Sequence, residues 1–244
     1  MRAALRPLFQ NYPYLHGCVA GVIEGGMGRA FADGREAPAA ALLALDFSLF
    51  GGDAAAPGAP ELVRLLKPGP GSAIVPDEAW HRLLAAHYGG ELHDDPREAF
   101  KAGRFDRQAL RRFREALPPG FELVRVQPDQ VAAFADLEVD LVHNFASHAE
   151  FSERGTGFGV QHEGRFVAGC SSFAIGGGTL EIEIDTHPDF RRRGLARILG
   201  AAMILWCLEN GLEPCWDAAN PMSSALACQL GFVSTGQYTA YRLH

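Results

Sequence analysis

The sequence predicts an α/β chain, a mixed and mostly antiparallel sheet flanked by helices, with an N-terminal domain packed against a C-terminal one. Three observations predict it. Residues 157–186, "GFGVQHEGRFVAGCSSFAIGGGTLEIEIDT", hold three strand-like runs separated by Glu163-Gly164 and Gly176-Gly177-Gly178, and short turns join antiparallel neighbours. The stretch that follows, "DFRRRGLARILGAAMILW", puts Leu195, Ile198, Leu199, Ala202 and Trp206 on one stripe of a helix. Finally, 244 residues at 48% hydrophobic composition can fill one large core or two ordinary ones.

The first half is rich in Ala, Gly and Pro. "APAAALLALDFSLFGGD" reads as a buried strand ending in a turn at Gly51-Gly52, and "GGDAAAPGAP" as a loop. "PDEAWHRLLAAHYGG" reads as a helix: Pro76 and Asp77 open it, Trp80, Leu83, Leu84 and His87 share a face, and Gly89-Gly90 ends it. "FDRQALRRFREALPPG" is a second helix, stopped by Pro118-Pro119-Gly120. That stop divides the chain into 1–119 and 120–244.

Beyond it, "FELVRV" is a short strand, and Pro128 to Phe145 reads as one helix on Val131, Phe134, Leu137, Leu141, Val142 and Phe145. In the third strand of the meander Leu180, Ile182 and Ile184 alternate with Glu181, Glu183 and Asp185, so one face is core and the other acidic. The helix from Leu195 ends at Asn210-Gly211. "EPCWDA" is a further strand, "NPMSSALACQL" a helix capped by Asn220, and "FVSTGQYTAYRL" a last strand or hairpin. Trp206 and Trp216 are assigned to the core.

Composition excludes several classes. A net charge of −7 argues against a general nucleic-acid binder, whose affinity rests on surplus Lys and Arg. Cys18, Cys170, Cys207, Cys215 and Cys228 show no paired spacing, and the nine histidines form no close ligand array, so no metal is expected and the thiols read as reduced. "MRAALRPLFQNYPYLHG" is broken by Pro7 and Pro13 before a signal-type apolar run develops, and no window approaches the roughly 20 apolar residues of a membrane span. The expectation is a cytoplasmic protein without membrane association.

The chemistry concentrates at Arg191-Arg192-Arg193-Gly194-Leu195-Ala196. A helix N-terminus carries unpartnered N–H groups and partial positive charge, which suit a phosphate. Gly194 removes a side chain that would hold a ligand off the backbone, and Ala196 keeps the next turn small. A solvated basic turn opening an ordinary helix is the bland alternative.

The order strand, R-x-x-G-x-A, long helix, strand, Asn-capped helix and "LGF" resembles the GNAT superfamily of acyl-CoA-dependent N-acyltransferases. "LEIEIDTHPDFRRRGLA", "CLENGLEPCWDAANPMSSALACQLGF" and "YTAY" are similar to the bacterial group known simply as GNAT acetyltransferases. "PGPGSAIVPDEAW" and "FDRQALRRFREALPPGFEL" extend that similarity upstream, so nearly the whole chain is covered. The resemblance implies a GNAT-like domain over 120–244 and leaves 1–119 open as a degenerate GNAT-like half lacking a second R-x-x-G-x-A.

The resemblance also implies acetyl-CoA as co-substrate and a primary amine, small molecule or peptide, as acceptor. The backbone at Ile184, Asp185 and Thr186 would hold the pantetheine arm. The N–H groups of Arg192, Arg193, Gly194, Leu195 and Ala196 would hold the pyrophosphate, with Arg191 at the motif's first basic position. Asn220 and Ser223 would contact the cofactor, and the acyl group would lie where two strands splay.

Acyl transfer to an amine needs a base, a polarised carbonyl and a leaving thiolate. Backbone N–H groups near Asp185 are candidates for the oxyanion. Glu183 and Glu181 are the candidate bases, against the alternative of plain solvent-facing carboxylates. The position where many relatives carry a Tyr acid is Ala227 here. Tyr238 is the first substitute, with Tyr241 and Cys228 behind it, and packing competes for each; Cys228 in particular reads as buried and inert. His187 reads as a turn histidine bonded to backbone, and Asp217 as a brace for its loop. A noncatalytic acyl-CoA sensor or interaction module competes with the enzyme, and a homodimer stays open beside a monomer.

Overall fold

A computed structural model describes residues 2–66 and 71–243. Short 3-10 segments lead into α1 (His16–Ile23), β1 (Arg29–Ala32), β2 (Ala40–Ala44), β3 (Ser48–Gly52), α2 (Ala59–Val63), β4 (Ser72–Ile74), α3 (Glu78–Tyr88), β5 (Leu92–Lys101) and α4 (Arg107–Glu115). The second half runs β6 (Phe121–Arg125), α5 (Val131–Ala135), α6 (His148–Arg154), β7 (Gly157–His162), β8 (Arg165–Gly176), β9 (Thr179–Thr186) and α7 (Leu195–Glu209). It closes with β10 (Glu213–Cys215), β11 (Asp217–Ala218), α8 (Pro221–Leu230) and β12 (Val233–Leu243).

Two sheets result, ordered β1-β2-β3-β4-β12-β5-β11 and β10-β9-β8-β7-β6. The pairs β3/β4 and β10/β9 are parallel, and the others antiparallel. This is the mixed, mostly antiparallel architecture that the Gly-separated meander predicts. Both meander turns fall where the sequence puts them, at Glu163-Gly164 and Gly177-Gly178, all four residues with positive φ.

Strand pairing does not follow the 119/120 division. β12 lies between β4 and β5, and β11 pairs with β5 through Asp217↔Ala99 and Ala218↔Glu98. The expected single strand over 213–218 is therefore two, one in each sheet, with buried Trp216 at the crossing. In return α1 lies across β8 and β9, and α4 packs on α7.

Local signals account for the helices that the sequence predicts. Asp77 caps α3, accepting from the N–H groups of Ala79 at 2.9 Å and Trp80 at 3.0 Å, an interaction worth about 1 kcal/mol. α7 is buried on more than one stripe, since every residue from Ile198 to Leu205 is inside. Gly200 is what permits this, because a Cβ there would stand 2.6 Å from Leu230 of α8.

Three expectations need correction. The run 37–53 is two strands, β2 and β3, folded as an antiparallel hairpin, while the loop after it stands as expected until α2 begins at Ala59. The helix expected over 128–145 is broken into a 3-10 turn, α5 and a second 3-10 turn at Val139–Leu141; the apolar period there records burial of Val131, Phe134, Leu141, Val142 and Phe145, not a continuous helix. Trp206 is only partly buried, with the Arg125 guanidinium 5.5 Å above its ring. Pro68, Gly69 and Pro70 of the upstream "PGPGSAIVPDEAW" stretch lie outside the described residues.

Candidate active site

The turn between β9 and α7 is built from two left-handed residues. Arg192 has φ 61° and Gly194 φ 79°, and α7 begins directly after with no side-chain cap on its N-terminus. Left-handed residues in such a turn direct successive N–H groups into one concavity, an anion-binding geometry. A Cβ at Gly194 would meet only the end of the Arg197 guanidinium, at 4.0 Å, so the space in front of the turn is open. Arg191 Nε donates to the Thr186 carbonyl at 2.9 Å and ties the turn to the strand end.

The three arginines divide. Arg191 and Arg192 line a cavity of about 820 Å³, as do Gly194, Leu195 and Ala196. Arg193 does not: its guanidinium lies over Phe190 at 5.2 Å and Phe121 at 6.0 Å. Arg197, one turn into α7, lines the cavity in its place, a role that the opening motif gave no reason to suspect.

From the turn the cavity follows the edge of β9. Pairing between β9 and β10 stops at Glu181↔Cys215, because β10 then leaves for the other sheet. Ile182 to Thr186 consequently keep only β8 as a neighbour, and all five line the cavity. This is the strand splay expected from the sequence. The N–H of Ile184 donates to Glu183 Oε1 at 3.2 Å and that of Thr186 to Asp185 Oδ1 at 2.7 Å, so a ligand reaching this edge would replace carboxylates of the strand itself. Asn220 accepts from the Ser223 N–H at 2.9 Å as the cap of α8, Ser223 Oγ accepts from Trp216 Nε1 at 3.1 Å, and both residues line the cavity.

Glu181 and Glu183 on the acidic face of β9 do not stand in open solvent, which overturns the bland reading of these two carboxylates; the Asp185 side chain at the strand end is 31% exposed. Glu181 is 4% exposed, under the first turn of α1, where a Cβ at Gly17 would lie 2.8 Å from its Oε2. Neither Glu181 oxygen meets an N–H or O–H donor, and the Cys18 thiol is its neighbour. Burial first, and then the charge of Asp217, pushes its carboxyl up to about 8. Glu183, two residues on and on the same face, opens partly to the cavity. Burial, then the charge of Asp140, raises it likewise to about 8.

The proposed proton donors fare differently. Tyr238 does not line the cavity; its hydroxyl donates to Asp217 at 2.8 Å and its ring packs on Tyr14, with centroids 4.8 Å apart. Burial and the Asp217 charge hold the phenol far above its ordinary range. Tyr241 stacks on His81 at 4.7 Å, away from the cavity. Cys228 is exposed, contrary to the expected burial, because the apolar face of α8 turns Ala227 and Leu230 inward instead. Ala227 itself is fully buried. Asp217 braces strands rather than its own loop, pairing with Arg97 of β5 as well as Tyr238. His187 Nδ1 accepts from the Asp189 N–H at 3.4 Å, the turn role expected of it.

Sequence reasoning missed the other wall of the cavity. Asp46, from the β2–β3 turn, and Asp140 flank His143, whose Nε2 is 3.3 Å from Asp46 and Nδ1 3.5 Å from Asp140. The Asp46 contact raises the His143 pKa. Phe47 and Phe173 stack at 5.4 Å, and both line the cavity. These groups come from distant segments, and no local motif joins them.

Comparison with known proteins bears on the whole chain. A family described as GNAT acetyltransferase matches residues 6–241. A Bacillus subtilis (strain 168) protein named "uncharacterized N-acetyltransferase YdfB" is 35% identical over 130 residues, 51% of this chain and 49% of the relative, so the match spans about half of each. The crystal structure of a GCN5-related N-acetyltransferase-like protein from Streptococcus suis 89/1591 superimposes with TM-score 0.89 at 28% identity, covering 100% of this chain and 98% of that one. A tandem GNAT protein from the clavulanic acid biosynthesis pathway shares the fold at TM-score 0.51 and 16% identity, over 85% and 79% of the two chains. No helix among the described residues is long and apolar enough to cross a membrane.

Proposed function

This chain belongs to the GNAT acetyltransferase family, and from that premise we propose that it transfers an acetyl group from acetyl-CoA to a primary amine by direct attack in a ternary complex. One observation carries the reading: a single cavity joins the uncapped turn at Arg192–Gly194 to the carboxyl of Glu183 along the unpaired edge of β9. The open space at Gly194 and the left-handed backbone fit a pyrophosphate, with Arg191, Arg192 and Arg197 supplying charge. Ile184, Asp185 and Thr186 would carry the pantetheine arm. An arm bonded to the Ile184 N–H releases Glu183 Oε1, so cofactor binding itself frees the base.

Glu183 then takes a proton from the acceptor ammonium. A carboxyl near 8 is far better matched to an amine of about 10 than an ordinary one near 4.5. The neutral amine attacks the thioester carbonyl, the oxygen takes up negative charge near the β9 edge, and the C–S bond breaks as the attacking nitrogen gives its second proton to the departing sulfur or to solvent. The leaving thiol has a pKa of about 8.5 and departs near neutral pH without a tyrosine acid, consistent with Ala227. The acceptor class is a cationic amine, drawn to Asp46 and Asp140. Free thiols and the acidic balance suit the cytoplasm. Residues 120–244 carry the transferase site in this reading, and 1–119 adds Asp46 and Arg97 to the cavity, Asp46 sharing the acceptor wall with Asp140; likeness to a tandem protein supports an origin of that half as a degenerate GNAT copy.

The competing sensor reading rests on Ala227. Steady release of CoA from acetyl-CoA in the presence of amine acceptors separates the two: turnover abolished in Glu183→Gln supports the enzyme, and tight acetyl-CoA binding without turnover supports the sensor.

A further inference from the structure

Three side chains from two distant parts of the chain meet beside the last β9–β10 pair, outside the acyl-transfer cavity. Glu213 and Cys215 are alternate residues of β10 and project from the same face, while His16 opens α1 above them. His16 Nε2 is 3.3 Å from Glu213 Oε1 and 3.4 Å from Cys215 Sγ, and the three donor atoms all lie within 4.8 Å of one another. A tetrahedral zinc ion, with Zn–N of about 2.0–2.1 Å, Zn–S about 2.3 Å and Zn–O about 2.0–2.2 Å, needs ligand-to-ligand separations of roughly 3.3–3.6 Å. Both histidine edges already meet that requirement. The third closes by rotation of Glu213, whose side chain is 48% exposed.

The backbone around the sulfur is shaped for the same end. A Cβ at Gly17 would stand 3.0 Å from both Cβ and Sγ of Cys215, so only glycine lets the first turn of α1 close on the thiol. Burial, with the charges of Glu181 and Glu213, holds the metal-free Cys215 thiol protonated, and the Gly17 N–H directed at the sulfur opposes them.

We propose that His16, Glu213 and Cys215 bind one divalent cation of the zinc class, leaving a fourth position to water. An imidazole, a carboxylate and a thiolate are the donor types such an ion selects. Binding replaces the Cys215 S–H bond with a metal–sulfur bond and releases that proton to solvent. The ion would tie α1 to β10 at the pair Cys215↔Glu181, where β9 and β10 begin to separate. This revises the expectation of no metal, which rested on spacing along the sequence, whereas His16 and Cys215 are 199 residues apart.

The test uses the full-length protein, stripped with a chelator and titrated with Co²⁺ alone as the probe, followed by Zn²⁺. The expected result is a thiolate-to-cobalt charge-transfer band in the near ultraviolet, with intense visible bands of a four-coordinate ion. The bands saturate at one equivalent and are bleached by Zn²⁺. Cys215→Ser should abolish the charge-transfer band, and His16→Gln and Glu213→Gln should each weaken Co²⁺ binding by at least about tenfold. No charge-transfer band from the native protein, or an equal band in Cys215→Ser, overturns the site. Should Cys215→Ser fail to fold, the partly exposed His16 and exposed Glu213 decide: undiminished affinity in both variants equally overturns it.

Discussion

Tyr238 donates its hydroxyl to Asp217 at 2.8 Å, and the same carboxylate pairs with Arg97 from the neighbouring strand β5. The phenol is thus a strut in a network joining β12, β5 and β11 behind the cavity. Tyr238→Phe is expected to cost about 1.5–3 kcal/mol of stability, as a hydrogen bond to a charged group does, while kcat falls less than about tenfold. Urea unfolding and steady-state kinetics on the same preparation check this. A stable variant with kcat reduced a thousandfold would instead make Tyr238 the acid.

Glu183→Gln removes the base but leaves the turn intact. A loss of about 10²- to 10⁴-fold in kcat is expected, with acetyl-CoA affinity unchanged by calorimetry. Loss of cofactor binding in this variant would show that the carboxylate serves the arm and not the proton.

The same residue sets a pH dependence. The groups acting on Glu183 are Asp140 and Asp185, which raise it, and Arg97 and the Ile184 N–H, which lower it; burial dominates and leaves it near 8. Since the base must be ionised, kcat/KM should rise with pH and level off above about 8. Stability has the opposite sign: the folded protein holds this proton longer than the unfolded chain, so the contribution is full below about 4.5 and is lost as pH rises through about 8. Glu183→Gln should flatten the kcat/KM curve and make the stability curve shallower, leaving the part that Glu181 contributes, and a native kcat/KM profile that levels off below pH 6 would remove Glu183 as the titrating group.

At Gly194 conformation and space give separable effects. Gly194→Ala meets no clash but must hold φ 79°, at a cost of about 1–2 kcal/mol, and acetyl-CoA binding should weaken modestly. Gly194→Glu adds a carboxylate facing the open turn and should abolish binding. Equal calorimetric affinities for the two variants would place the cofactor elsewhere.

At the opposite wall, Asp46→Asn and Asp140→Asn should raise KM for a cationic amine several-fold with little change in kcat, and the effect should shrink as salt is added. A salt-independent change, or one confined to kcat, would count against electrostatic capture of the acceptor.

What the sequence discloses follows the range of the interactions involved. The turn 191–196, the Asp77 and Asn220 caps and the three-strand meander are written in adjacent residues, and they stand in the structure where they are expected. α1 escapes because "HGCVAGVI" is apolar all round and carries no amphipathic period. β5 escapes because "LHDDPREAFK" is polar and holds Pro96, which is tolerated there because β11 pairs only at Glu98 and Ala99, leaving Pro96 with β12 alone. The burial of Glu181 depends on α1, more than 150 positions away in sequence, and Asp46 reaches the cavity from the opposite half. The motif groups Arg193 with its neighbours, but packing against Phe190 and Phe121 turns its guanidinium away from the cavity.

The placement of β12 between β4 and β5 has a consequence for how the protein is made. The ribosome delivers residues 233–243 after every other strand of the sheet, yet they supply an interior strand whose other main neighbours come from the first 101 residues. Until then β4 and β5 present raw edges to the cell, the kind of surface that chaperones hold and that other chains capture. Deleting residues 233–243 should therefore cost the N-terminal half its fold, and a nascent chain stalled before them should be the species most prone to aggregate.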